Sequence, residues 1–154
     1  MTSALLAVTP EIIQRYNRPG PRYTSYPTVP VWSEGYFSED YAACLQKEGL
    51  NEKPISLYLH IPFCRQLCTF CGCNKNITNN QEIVERYLDA LDQEIAGVAK
   101  LLGVRKKIAQ VHFGGGTPTY LNHSQLRRVV EMIHSCFDVH EDGEWALEAD
   151  PRVT

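Results

Sequence analysis

Four of the six cysteines fall within ten residues, Cys64, Cys68, Cys71 and Cys73, in the stretch HIPFCRQLCTFCGCNK. A thiolate can act as a nucleophile, a redox partner or a soft metal ligand. The spacing here is C-x3-C-x2-C followed by C-G-C. A structural zinc site uses C-x2-C pairs with a second pair further along, whereas this spacing is uneven and Cys44 and Cys136 stand isolated. A redox dithiol built on the C-x2-C would leave the other two thiols of the loop unexplained. A thiolate-held iron-sulfur cluster accounts for three cysteines in one loop. With only three ligands, one iron of a 4Fe-4S cluster stays open to another molecule.

The surroundings agree with a reduced thiol site. At 154 residues, 44% hydrophobic and 21% charged, with a net charge of -3, the chain is long enough for a core and carries no basic excess that would point to nucleic acid or anionic lipid. No run approaches the roughly 20 apolar residues of a membrane span, and the N-terminus MTSALLAVTPEIIQRY lacks a positive leader region. A cytoplasmic location is the expectation, and there clustered cysteines read as metal-binding or catalytic rather than as disulfides.

The elements that must position the loop follow from periodicity. Residues 1–54 read as an irregular arm: a short helix over Pro10 to Tyr16, a proline- and aromatic-rich extended stretch, and a second short helix over Ser38 to Lys47. From Ile55 onward, residues 55–154 alternate. ISLYLH reads as a buried strand and the cysteine segment as a loop. Asn80 to Leu102 is a helix with Val84, Tyr87, Leu91, Ile95, Val98 and Leu102 at helical spacing, capped by Asn79 or Asn80. KIAQVHF is a second strand and GGGTPTYLN a turn. Ser124 to Phe137 is a second helix and EWALEAD a third strand.

Alternating strands and helices of these lengths imply a parallel sheet. Ser56, Tyr58 and His60 share one face of the first strand, Gln110 and His112 one face of the second, and Ala146, Glu148 and Asp150 one face of the third. Each strand therefore has an apolar face and a face turning polar toward its C-terminal end. That pattern suits the mouth of a β/α barrel better than a doubly wound sheet, whose strands are usually apolar on both faces. The fold class expected is α/β, the first units of a partial TIM-like barrel preceded by an arm.

C-x3-C-x2-C after a first strand resembles the signature of the radical S-adenosylmethionine (SAM) enzymes. PRYTSYPT, LYLHIPFC, CTFCGCNK, HFGGGTPTYL and EADPR occur in the order seen in the oxygen-independent coproporphyrinogen III oxidase family. Relatives that act as haem chaperones share the cysteine loop but usually lack C-G-C and the PRYTSYPT arm, both present here.

The resemblance implies that Cys64, Cys68 and Cys71 hold the 4Fe-4S cluster and that SAM chelates the open iron. An electron from an unidentified donor would release a 5'-deoxyadenosyl radical, which takes a hydrogen from a propionate of coproporphyrinogen III. Two oxidative decarboxylations would give protoporphyrinogen IX for haem synthesis.

It also implies that Tyr58, Gly115 and Glu148 contact a first SAM, and Phe70, Gly116 and Thr117 a second. His60 falls at a position needed for activity, and Cys73 at an extra cysteine that is not an iron ligand. Read without the family, Tyr58 could be a core tyrosine, His60 a packed strand-end histidine, Glu148 a solvated strand end and GGGTP a tight turn. The last lacks the lysine of a P-loop and the spacing of a dinucleotide fingerprint.

Chains of that family are far longer and are expected to act as monomers. This sequence stops at DPRVT, so an open parallel edge, exposed apolar surface and an incomplete catalyst are expected of it alone. A cluster- or SAM-binding module without catalysis is the other functional class.

Overall fold

The structure is a computed structural model and describes residues 8–17, 31–69 and 71–152. The PRYTSYPT segment and Phe70 lie outside the described residues. The chain forms two compact units, Met1–Tyr36 and Phe37–Thr154. In the first, helix α1 (Pro10–Tyr16) starts where Thr9 caps it, the Oγ1 accepting from the Ile12 amide, with Pro10 at its first turn.

The second unit begins upstream of the boundary expected after residue 54, because helix α2 (Ser38–Gly49) packs on helix α3 (Gln81–Leu102). A buried cation secures it. Lys106 is 4% exposed, donates from Nζ to the carbonyls of Glu48 and Asn51, and lies 3.8 Å from the Glu48 carboxylate. Carbonyls at and just past the helix C-terminus, which lack intrahelical partners, are satisfied in this way.

Strands β1 (Ile55–Ile61), β4 (Lys107–Gly115) and β5 (Asp138–Leu147) form a parallel sheet in the order β1-β4-β5. Two further short strands, β2 (Phe63–Cys64) and β3 (Asn76–Ile77), pair in parallel across the cysteine loop. Sequential strand order with α3 packed on helix α4 (His123–Cys136) puts both connecting helices on one face of the sheet. This is the start of a singly wound barrel, as the strand faces implied.

The helices start and stop where local chemistry dictates. The Asn80 side chain accepts from the Glu82 amide, and Gly103 ends α3 in the left-handed conformation at φ 71°. Asn122 and Gln125 form a reciprocal capping box at α4. Gln125 is itself buried and donates to Gln81 and Glu85, tying α4 to α3.

The core lies between the helices and the apolar sheet face, with Leu59, Ile61, Val84, Leu88, Val129 and Ile133 buried in it. Tyr87 and Val98, expected on the buried stripe of α3, sit at its margin, and Leu88 takes the central place. In α4, Met132 is buried while Leu126 and Val130 are partly covered.

The third strand departs from expectation. It starts at Asp138 rather than Glu144 and ends at Leu147 rather than Asp150. Its pairing with β4 jumps from Ile108–Val139 to Gln110–Glu144, so residues 140–143 bulge out of the ladder. That excursion hides the strand's first half from an alternation pattern. Trp145 and Leu147 are exposed on β5, 41% and 42%. No helix among the described residues is long and apolar enough to cross a membrane.

Because Leu88 is fully buried, Leu88→Ala should cost about 3 kcal/mol in urea unfolding. A loss below about 1 kcal/mol would mean that α3 does not pack on the sheet through this residue.

Candidate functional site

The backbone from Ile61 to Cys64 carries the site. Its carbonyls alternate in direction, as in any strand. Those of Ile61 and Phe63 accept from the Gly116 and Thr117 amides at 2.9 Å each, on the β4 side. Those of Pro62 and Cys64 accept from Asn76 at 2.6 Å and Thr78 at 3.2 Å, from the far end of the cysteine loop. The loop thus leaves and returns at one clamped segment, beside the glycine turn that follows β4.

That turn requires its glycines. Gly115 has φ 116°, and a Cβ there would lie 2.8 Å from the His60 ring. A Cβ on Gly116 would meet the Cys64 sulfur and the Phe63 carbonyl at 2.9 Å, and one on Gly114 would meet the Tyr58 ring at 2.8 Å. Backbone and thiol therefore approach where a side chain would intrude.

The cysteines differ in setting. Cys64 is buried, with its Sγ 3.4 Å from Thr117 Oγ1, while Cys68 is exposed and accepts from Arg152 Nη2 at 3.3 Å. Both line an open cavity of about 260 Å³ together with Thr117, Tyr120, Asp150 and Arg152. Cys71 is half-buried and hydrogen-bonded to the exposed Cys73, whose thiol is pushed up in pKa by burial and by Cys71.

The loop cysteines Cys64, Cys68, Cys71 and Cys73 are free thiols. A loop pinned at both ends, with two thiols already on one cavity, fits a thiolate-held cluster in donor type. Among the described residues no three His, Cys, Asp or Glu side chains converge as a metal site.

The polar sheet face brings the other residues together. Register places Ser56, Gln110 and Glu144 in one row, and Tyr58, His112 and Ala146 in the next. Ser56 donates to Gln110 at 2.9 Å, and Gln110 to Glu144 at 3.3 Å. Tyr58 stacks on His112 with centroids 5.7 Å apart, and His112 Nε2 lies 3.3 Å from Glu148 Oε1.

Glu148 follows β5 directly. Its amide continues the ladder to the Phe113 carbonyl at 2.9 Å, and its Oε2 accepts from the Gly115 amide at 3.2 Å. The carboxylate therefore reaches the glycine turn from the neighbouring strand.

His60 joins this row to the cysteine loop. Its Nε2 lies 2.8 Å from the Asn74 carbonyl, which can only accept, so in the neutral ring the proton sits on Nε2. Nδ1 is then left to accept the Tyr58 hydroxyl at 3.2 Å. Burial, with added repulsion from Glu148 and Cys73, raises the Tyr58 pKa and keeps its phenol a donor. From behind, the Tyr87 hydroxyl of α3 donates to the His60 carbonyl.

Tyr58, His60, Gly115, Gly116, Thr117, Glu148 and the loop cysteines are thus gathered at the C-terminal ends of the three parallel strands. His112, Asn74, Asp150 and Arg152 belong to the same neighbourhood without having been singled out from sequence. His112 carried a faint signal, its place on the polar face of β4. Arg152 carried none beyond the EADPR motif.

The radical SAM superfamily matches residues 58–151, a span that includes the thiol loop and the three parallel strands from Tyr58 onward. Oxygen-independent coproporphyrinogen III oxidase of Escherichia coli strain K12 is 47% identical over 141 residues, covering 92% of this chain and 30% of that relative. The protein of the same name from Mannheimia haemolytica is 49% identical over 140 residues, covering 91% of this chain and 94% of that sequence. The solved structure of coproporphyrinogen III oxidase from Escherichia coli, described as a radical SAM enzyme, matches with a TM-score of 0.77 at 44% identity, over 86% of this chain and 30% of that one.

The chain belongs to the radical SAM superfamily and, within it, to the family of oxygen-independent coproporphyrinogen III oxidases. It spans about 30% of the length of the Escherichia coli relative. Membership implies a 4Fe-4S cluster and SAM.

The clamp can be probed with paired glycine variants. Gly116→Ala should displace the Cys64 thiol, lower stability by about 1–3 kcal/mol and reduce iron uptake on reconstitution. Gly97→Ala, on α3 with nothing within 4 Å of its Cβ, should stabilise by about 0.5–1 kcal/mol and leave iron uptake unchanged. Equal iron content in the two variants would contradict the close approach at Gly116.

Proposed function

We propose that this chain supplies the cluster- and SAM-binding part of an enzyme that oxidatively decarboxylates coproporphyrinogen III without oxygen. The observation that supports it most is the clamped Ile61–Cys64 segment, which sets the cysteine loop beside the glycine turn and the Tyr58–His112–Glu148 row. Cys64, Cys68 and Cys71 would hold the cluster. Such a cluster, together with SAM, would supply the one-electron radical chemistry needed at the substrate's propionates.

The chain's own groups orient the cofactor. Glu148 keeps free lone pairs on a carboxylate that is 54% exposed, suited to the ammonium or ribose hydroxyls of SAM. The Gly115 backbone, with no Cβ in the way, admits the methionine end, and the Tyr58 ring presents a face beside it. In the finer reading two SAM molecules bind: Tyr58, Gly115 and Glu148 take the first, Gly116 and Thr117 together with Phe70 the second. His60 orients Tyr58 and ties it to the loop at Asn74. Cys73 acts beside the cluster without ligating it. The site takes its electron from a separate donor, in a reducing, cytoplasmic setting.

Cys64→Ser, Cys68→Ser and Cys71→Ser should each abolish cluster assembly under anaerobic reconstitution, while Cys73→Ser keeps full iron content. Glu148→Gln should keep the cluster and weaken SAM binding roughly tenfold, the effect of losing one charge-assisted hydrogen bond. The complete enzyme, with a reductant, should release two molecules of carbon dioxide per coproporphyrinogen III. A fully loaded enzyme that cleaves SAM but releases no carbon dioxide would sink the substrate assignment.

A further inference from the structure

One wall of the cavity beside the cysteine loop is formed by residues outside the cofactor set described above. Arg152, in the turn after β5, reaches back to Cys68 and donates from Nη2 to its sulfur at 3.3 Å. The guanidinium is held in place for this contact. Its Nε donates to the two Asp150 oxygens at 2.9 and 3.2 Å, Nη2 donates to Oδ2 at 2.6 Å, and the Arg152 amide donates to Oδ1 at 3.0 Å. Asp150 is the anchored partner, with its side chain 19% exposed against 62% for Arg152. A planar fork fixed on a carboxylate leaves little freedom in where its remaining N–H groups point.

We propose that Asp150 and Arg152 form a positioning pair that donates a charge-assisted N–H···S hydrogen bond to the Cys68 ligand and so raises the reduction potential of the cluster. The proposal rests on the reading of Cys68 as a ligand. Reduction adds one negative charge, shared over iron and sulfur, so an N–H aimed at a ligand sulfur stabilises the reduced state more than the oxidised one. Asp150 neutralises the guanidinium at a distance, and the effect on the cluster is therefore short-ranged and depends on the aim of the fork. It also makes the first cysteine loop sensitive to the segment after the third strand, 84 residues away in sequence.

The test is a potentiometric titration of the cluster-loaded protein under argon, with low-potential mediator dyes and dithionite as reductant, read by electron paramagnetic resonance. Arg152→Gln, neutral and too short to keep both contacts, should have a midpoint more negative than the unsubstituted protein at equal iron content. Arg152→Lys, which keeps the charge and loses the fork, should fall between them. Arg128→Gln, which breaks only the ion pairs to Glu85 and Asp89 on the helical face, should titrate like the unsubstituted protein. An unchanged midpoint in Arg152→Gln overturns the proposal. So does a fall in iron content with the remaining clusters at the original midpoint, since that is what a merely structural contact would produce. Failure of the unsubstituted protein to hold a cluster would instead refute the ligand reading beneath it.

Discussion

The segment Ile61–Cys64 is hydrogen-bonded along both edges, and the rest of the site depends on it. On one edge it extends the β1–β4 ladder into the glycine turn; on the other it receives the returning end of the cysteine loop. Four carbonyls are satisfied in four successive residues, so this stretch has no easy alternative register. The two ends of the loop, at Cys64 and Asn76, are held beside the turn. Cys64 is accordingly buried against Thr117, while Cys68 and Cys73 are exposed and Cys71 is half-buried. In the reading proposed above, Cys64 would be the fixed ligand, and Cys68 and Cys71 would join it from the loop.

The two faces of the sheet do different work. The apolar face is filled by α3 and α4, with Leu88, Val129 and Ile133 fully or almost fully excluded from water. The polar face carries side chains that bond to one another across the strands, Ser56 to Gln110 to Glu144, and Tyr58 over His112 to Glu148. Because all three strands run parallel, their C-terminal ends coincide, and loops of distant sequence origin meet there. His60, the glycine turn and Glu148 come from three different strands, yet lie within hydrogen-bond or van der Waals reach of their neighbours. The packed face supplies the rigidity that lets the polar face remain open.

Much of this was legible in the sequence, for physical reasons that differ by element. The cysteine spacing is short-range chemistry, readable without tertiary knowledge. Helix α3 declared itself through Asn80, Gly103 and its apolar period, since caps and periodicity are local. Strand β5 did not, because residues 140–143 bulge from the ladder and interrupt the alternation. The docking of α2 was also invisible. It turns on Lys106, a residue type that is almost never buried unless paired, meeting the carbonyls of Glu48 and Asn51 across more than 50 residues. The partners of His112 and Arg152 stayed hidden for the same reason, being fixed only once the strands are side by side.

The central claim is that Cys64, Cys68 and Cys71 would together hold a 4Fe-4S cluster that binds SAM. The most direct test is anaerobic reconstitution with iron and sulfide, reduction, and electron paramagnetic resonance with and without SAM. The account predicts a 4Fe-4S signal whose g-values shift when SAM is added. A cluster whose spectrum is indifferent to SAM would contradict it.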